Sequence, residues 1–378
     1  MILFIAGDLA PTKSNIQLFG NADIGALLGK ELYALWNSAD LRIFNLETPL
    51  ADIREPIKKS GPNIVAPTNT IKGIKALNPS LLALANNHIL DQGEQGLHST
   101  CEILAKHNIS YVGAGNDLAE ARLPYILKKN GLSIGFYACA EHEFSIAADK
   151  SPGANPFDPL ESLEHIRLLK AKCDYVIVLY HGGKEHYRYP SPYLQKVCRK
   201  MAQRGADLIV CQHSHCIGCA EKYEGSTIIY GQGNFIFDDS DSEYLQSSLL
   251  IRVAIKNGPK IQYVPLIKNK NVVRLADAKA ADELLAAFHK RSEEIKQNGF
   301  IEKRYQEFAQ GSFESYMRGF LGHGKFLARI DKYLLRGYLL KLSCSPKKLL
   351  RIENYLACEA HKELALTALK EKYERERS

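Results

Sequence analysis

The sequence predicts an α/β protein whose sheet is covered on both faces, followed by an α-helical C-terminal extension. Three observations carry this. Over the first 266 residues, short and fully apolar runs alternate with stretches of helical spacing, and fully apolar strands imply burial on both faces. Near residue 267 the strand signals stop and long helical patterns take over. The composition, 46% apolar and 24% charged over 378 residues, is that of a globular chain able to bury a large core without disulfides.

In order along the chain, residues 2–6, 41–44 and 81–85 read as buried strands. Residues 94–106 carry Leu97, Cys101, Leu104 and Ala105 at helical spacing, and 109–112 is a short strand. Residues 133–140 are β-rich, 160–171 helical, 174–180 nearly all apolar, 192–204 helical, 208–211 apolar, and 227–230 β-branched and aromatic. Residues 247–255 and 260–266 read as a closing antiparallel pair around Asn257-Gly258-Pro259. Beyond it, 282–297, 325–342 and 346–377 read as helices, the last with Ser345 and Pro346 as N-cap and first helical residue. Two domains are expected, 1–266 and 267–378.

Charge separates the two parts. Residues 267–378 hold 23 Lys and Arg against 15 Asp and Glu, while the first 266 hold 26 against 27. The first part is therefore no polyanion-binding surface by composition. No apolar run approaches the ~20 residues of a membrane span, and residues 2–6 lack the flanks of a signal peptide. Nine scattered cysteines, an odd number, suit a reducing cytoplasm rather than a disulfide framework. A cytoplasmic protein is expected, with possible attachment to the periphery of a membrane.

The polar groups collect where strands end. The run 2–6 ends in Gly7-Asp8, 41–44 in Asn45-Leu46-Glu47, 81–85 in Asn86-Asn87-His88, 174–180 in His181-Gly182-Gly183, and 208–211 in Gln212-His213-Ser214-His215. Carboxyl ends of strands in such sheets converge on one ligand-binding edge. Asp8, Glu47, Asn87, His181, His213 and His215 are therefore expected to share one site. Oxygen and imidazole donors without thiolate suit Mn, Fe or Zn, one or two ions. Two ions can clamp a phosphoryl group and generate a hydroxide nucleophile. Any one of these histidines alone would more often be a satisfied core residue.

Other features admit two readings. Cys216-Ile-Gly-Cys219, with Cys211, is either a thiolate metal or redox site or ordinary packing, and packing is favoured. Gly231-Gln-Gly-Asn234 reads as a tight turn supporting the site rather than a phosphate loop. His186, Tyr187, Arg188 and Tyr189 either line a substrate mouth, with Arg188 on an anionic group, or pack in their loop. Residues 314–352 are basic and amphipathic. They form a packed helix with a solvated basic face, the favoured reading, or they meet an anionic membrane or polymer. No motif supports sequence-specific nucleic-acid binding.

Five stretches, FNLETPL (44–50), NNHILDQG (86–93), HGGKE (181–185), HSH (213–215) and YGQGNFIFD (230–238), carry a resemblance. Residues 1–240 resemble the bacterial capsule synthesis protein family, CapA or PgsA in poly-γ-glutamate systems, itself similar to calcineurin-like metallophosphoesterases. The resemblance implies a four-layer α-β-β-α metallophosphoesterase-like sandwich with a two-metal site. It implies that Asp8 and His215 hold one ion, that Asn87, His181 and His213 hold the other, and that Glu47 bridges them. It implies that His88 is the catalytic histidine, oriented by Asp91. Glu185 and Asn234 match family motif positions at the rim or behind the ligands. Where the phosphoesterase pattern has Asp-x-His, this chain has Asp8-Leu9-Ala10. The expected function is a metal-dependent, phosphoesterase-like hydrolase associated with capsule or extracellular polymer biosynthesis, acting on an anionic small molecule or polymer. The alternative is a non-catalytic accessory protein of a membrane polymer synthase reached through the C-terminal helices. Amide hydrolysis of a γ-linked polymer is a weaker third reading.

Overall fold

The structure, a computed structural model, describes residues 1–237, 240–256, 258–322 and 324–375. Asn257, in the expected turn, Asp238, which ends the last motif, and the final two residues of the expected helix 346–377 lie outside them. The chain runs through β1 (Ile2–Leu9), α1 (Ile16–Gly20), α2 (Ile24–Asn37), β2 (Leu41–Leu46), α3 (Ile71–Ala76), β3 (Leu81–Ala83) and α4 (Gly93–Lys106). Next come β4 (Tyr111–Val112), β5 (Ala114–Gly115), α5 (Leu118–Ala121), β6 (Tyr125–Lys129), β7 (Leu132–Ala140), β8 (Gly153–Ala154) and α6 (Ser162–Lys170). Then follow β9 (Tyr175–His181), α7 (Pro192–Gln203), β10 (Leu208–Gln212), β11 (Ala220–Tyr223), β12 (Ser226–Tyr230), β13 (Ser247–Ile255), β14 (Pro259–Asn269), β15 (Val272–Leu275) and α8 (Ala278–Glu294).

Two mixed sheets are formed, in the orders β15-β14-β13-β1-β2-β3-β4 and β11-β12-β10-β9-β7-β6. Their central strands are parallel: β1 to β4 in the first, β7, β9, β10 and β12 in the second. The expected strand runs all lie in these two sheets. The strands not expected from the sequence, such as β6 and β11, are short edge strands.

Period-two alternation decides the layering. Along β9, Tyr175, Ile177 and Leu179 join the core that unites both sheets with α2–α4, whereas Val176, Val178 and Tyr180 join a second core with α6 and α7. The order is thus helices, sheet, sheet, helices. His181 is the next odd position of β9, so it continues the face between the sheets. Trp36 of α2 stacks on Phe4 and Phe235 at centroid distances of 6.2 and 5.0 Å, and its indole N–H donates to the Leu77 carbonyl at 2.7 Å.

One glycine is required where the segment after β12 crosses β1. A Cβ on Gly7 would lie 1.9 Å from the Gly233 carbonyl oxygen. The same crossing is closed by Phe235 N–H donating to the Asp8 carbonyl at 2.8 Å and Ala10 N–H to that of Ile236 at 2.9 Å. This seam holds Asp8 and Asn234 side by side.

The chain divides into compact units 1–302 and 303–378, so β15 and α8, which follow residue 266, lie in the first. The second unit contains most of α9 (Phe300–Phe320), then α10 (Lys325–Tyr333), α11 (Tyr338–Ser343), α12 (Pro346–Ala357) and α13 (Glu359–Arg375). The single helix expected over 325–342 is broken because Arg336 and Gly337 take left-handed φ of 50° and 79°. Asp331 holds the break, accepting the Leu339 N–H at 2.8 Å and the Arg318 guanidinium at 2.5 Å. The helix expected over 346–377 is likewise broken, at Cys358, whose backbone is extended. No helix among the described residues is long and apolar enough to cross a membrane.

All nine cysteines are free. Cys198 and Cys211 face each other with sulfurs 3.6 Å apart in the core beneath α7, and no cysteine joins a group of metal donors among the described residues. Burial pushes the Cys198, Cys216 and Cys219 thiols up, leaving little thiolate to react. Alkylation of the native protein at about pH 8 should therefore modify these three far more slowly than half-buried Cys344 and Cys358. The gap should close only as pH rises well past the ordinary thiol range, or on unfolding. Peptide mass spectrometry reads this, and fast native labelling of Cys216 would contradict it.

Candidate metal centre

The site is assembled from the carboxyl ends of β1, β2 and β3 in one sheet and β9 and β10 in the other. Register brings the groups level. Asp8 pairs with Asn45 across β1 and β2, and His181 with Gln212 across β9 and β10. The turn after β10 aims two imidazoles inward by adopting left-handed φ at His213 (81°) and His215 (54°). Such backbone costs about 1–3 kcal/mol per non-glycine residue and persists only where the surroundings impose it.

Glu47 is the centre of the cluster. It is fully buried, and neither carboxylate oxygen accepts a hydrogen bond. His181 Nε2 lies 3.2 Å from Glu47 Oε1 but is directed to Asn87 Oδ1 at 3.1 Å. His215 Nε2 lies 3.9 Å from the same Glu47 oxygen. Donor atoms of Glu47, His181 and His213 lie within 4.8 Å of one another, as do those of Asp8, Glu47 and His215. Glu47 is common to both groups.

Asp8 is tied on both sides. Its Oδ1 accepts the Asn45 amide at 2.8 Å, and His215 Nδ1 is 3.4 Å from Oδ2. The Asn45 amide thus stands beside Asp8, while Ala10 follows β1 without an imidazole. His215 Nδ1 also donates to Asn234 Oδ1 at 2.8 Å. Asn86 donates to Asn45 Oδ1 at 3.0 Å, so the first Asn of the Asn-Asn-His run braces the site.

The electrostatics follow from burying two carboxylates among imidazoles. Burial opposes the charge on Asp8, but the His215 hydrogen bond and the His181 charge outweigh it and hold the carboxyl below its usual range. Burial also opposes charge on His215, yet Glu47 and Asp8 together push it up to about 10. His181 is raised against burial by Glu47. His213 behaves oppositely: burial, then the neighbouring imidazoles, hold it well below the usual range, and its Nδ1 is buried without a hydrogen bond. A carboxylate and an imidazole nitrogen that make no hydrogen bond, beside two imidazoles whose hold on a proton is raised, make a donor set suited to cationic charge. These residues fit one or two divalent ions.

His88 and Asp91 stand beside this cluster. Asp91 is fully buried, and its Oδ2 accepts the Ile64 N–H at 2.7 Å and lies 2.6 Å from His88 Nδ1. Lys59, whose side chain is buried, pairs with Asp91 and reaches His88 Nδ1 at 3.3 Å. Nothing in sequence marks Lys59, which sits in an irregular loop between β2 and α3. Glu143 is a second residue not expected from the sequence. It accepts the Asn87 amide at 3.0 Å and lies 3.7 Å from His213 Nε2. Strand β7 also ends in acidic residues, Glu141-His142-Glu143, so the strand-end pattern does extend to it.

Of the residues expected at the rim, Glu185 is exposed, with a carboxylate oxygen within 4.8 Å of donor nitrogens of His213 and His215. Arg188 is not brought to the cluster. Its guanidinium donates to the Ile217 carbonyl at 3.1 Å and lies over the Tyr244 ring, 4.9 Å from its centroid. Tyr189 packs on Phe300 and donates its hydroxyl to Glu294 at 2.6 Å, so this loop packs against the first unit's own helices.

Residues 2–239 match the family model described as bacterial capsule synthesis protein PGA_cap. The PGA biosynthesis protein CapA of Bacillus subtilis is 33% identical over 230 residues, 59% of this chain and 60% of that protein. A probable polyglutamine synthesis accessory protein of Mycobacterium tuberculosis is 32% identical over 225 residues, 56% of this chain and 59% of its own length. The chain thus spans about three-fifths of the curated relatives it matches. Among solved structures, a phosphatase from Mycoplasma pneumoniae aligns at a TM-score of 0.45 and 14% identity, covering 71% of this chain and 94% of that one. The NAD nucleotidase of Haemophilus influenzae aligns at 0.44 and 11%, covering 82% and 67%. With its motif stretches falling inside the matched residues and its donor groups drawn from them, the chain belongs to the bacterial capsule synthesis protein family.

Proposed function

We propose that this chain is a metal-dependent hydrolase of phosphoesters that serves a capsule or poly-glutamate type polymer synthase. The observation that carries the reading is Glu47, a buried carboxylate with no hydrogen-bond donor, shared by two groups of metal-donor atoms. A buried carboxylate whose oxygens accept no hydrogen bond is costly unless positive charge meets it. Asn87, His181 and His213 would hold one ion, Asp8 and His215 the other, and Glu47 would serve both. Divalent ions there would supply Lewis-acid charge to a phosphoryl group and an activated water.

The chain's own residues then divide the remaining work. Asp91 accepts the hydrogen bond of His88 Nδ1–H, which orients the protonated ring so that its Nε2 gives a proton to the departing oxygen. Lys59 and the Ile64 N–H hold Asp91 in place. Glu185 stands at the exposed edge by His213 and His215, and Asn234 orients His215 through Nδ1.

A second reading has its own observation. Ala10 stands where the phosphoesterase pattern has an imidazole, and Asn45 bonds to the Asp8 oxygen there. A site short of one ligand suits an accessory protein that binds without turnover.

Two measurements test the proposal. Elemental analysis of the purified chain should find Mn, Fe or Zn. Glu47→Gln should lose nearly all of it and His213→Ala most of one equivalent, whereas equal content in wild type and Glu47→Gln would contradict the site. His88→Ala should keep its metal while hydrolysis of an aryl phosphodiester falls ~10²–10⁴-fold, mostly in kcat. The loss should shrink for an acidic leaving group, which needs little protonation. Retained metal with unchanged turnover of a poor leaving group would remove His88 from the chemistry. Metal without any turnover in wild type would favour the accessory reading.

A further inference from the structure

The second unit carries a surface that the hydrolase reading does not use. Sixteen of the 24 exposed large apolar side chains among the described residues fall in 303–378, which holds 76 of the 378 residues. Within 326–351 the apolar side chains are interleaved with charge of one sign. All seven Lys and Arg residues of that stretch are exposed, and its single acid, Asp331, is buried against Arg318. Over the whole of α10–α12, Glu353 is the one exposed acid among the described residues.

The apolar residues are placed as anchors. Leu334 (75% exposed) and Leu335 occupy the break between α10 and α11. Phe326 (78%) and Tyr333 (73%) flank α10 near its two ends, and Tyr338 and Leu342 lie on α11. The left-handed turn at Arg336-Gly337 and the Asp331 hydrogen bond to Leu339 N–H fix this hairpin-like break, with its leucines outward. A concentration of exposed apolar side chains of this kind marks an interaction site.

We propose that the α10–α12 segment binds the surface of an anionic phospholipid bilayer. Charge complementarity selects an anionic occupant. The apolar residues select among anions: a water-soluble polyanion would satisfy the Lys and Arg groups and leave Phe326, Tyr333 and Leu334 in water. A bilayer interface takes both, the aromatic and leucine side chains at the headgroup boundary and the ammonium and guanidinium groups among the phosphates. Each basic group near such a surface adds roughly five-fold to binding, so seven suffice for peripheral attachment without a spanning helix.

The test is sedimentation of the full chain with phosphatidylcholine vesicles, with and without phosphatidylglycerol, at two salt concentrations. Binding should exceed that to neutral vesicles by more than about ten-fold and weaken as salt shortens the screening length to ~10 Å and below. Lys347→Glu with Lys348→Glu should lose at least about ten-fold and flatten the salt dependence. Leu334→Ser with Leu335→Ser should lose several-fold while keeping it, and since both leucines are exposed, circular dichroism should be unchanged. Equal binding to both vesicle types, or none to anionic vesicles at low salt, would overturn the proposal. Unaltered binding of the leucine variant, with displacement of wild type by soluble polyglutamate, would overturn it in favour of a soluble polyanion. None of these outcomes depends on hydrolase activity.

Discussion

Burial of the Glu47 carboxylate among imidazoles is the constraint on which the rest of this molecule turns. A charge removed from water must be met by a donor, a proton or a cation. Here no hydrogen-bond donor meets it, and the proton-rich neighbours are His181 and His215. The surrounding architecture can be understood as what is needed to hold that carboxylate dry. Two sheets back to back exclude water on either side. The seam at Gly7, which admits no side chain, closes the end of β1 against the segment carrying Asn234. The strained turn at His213 and His215 closes the end of β10.

The electrostatic division between the histidines follows from the same burial. His181 and His215 sit against carboxylates that raise their hold on a proton, while burial and those two rings lower that of His213. A cation entering beside Glu47 would compete with protons for these imidazoles. His88 stands outside this exchange. Its partners are Asp91 and Lys59, and it contributes a different nitrogen to a different task.

The strand-end pattern made most of this site legible in sequence. Each apolar run has a period and a length, and the polar residues that follow it must emerge at the sheet edge, so Asp8, Glu47, Asn87, His181, His213 and His215 could be grouped without a structure. Lys59 could not, because an irregular loop has no period, and its partner Asp91 is 32 residues away. Arg188 was readable only as a basic residue near a ligand strand. The left-handed φ at His186 is part of a turn that carries the following guanidinium to Ile217 instead. In the C-terminal part, helical spacing across 325–342 persists through Gly337, so amphipathic pattern alone hides the break that Asp331 and Arg318 stabilise.

Anomalous diffraction from crystals grown with manganese would test the central claim most directly. The account predicts manganese peaks bound to the oxygens of Glu47, one near Asn87, His181 and His213 and the other near Asp8 and His215, separated by roughly 3.5–4 Å. Manganese found only at exposed carboxylates such as Glu185, with Glu47 still unligated, would contradict it.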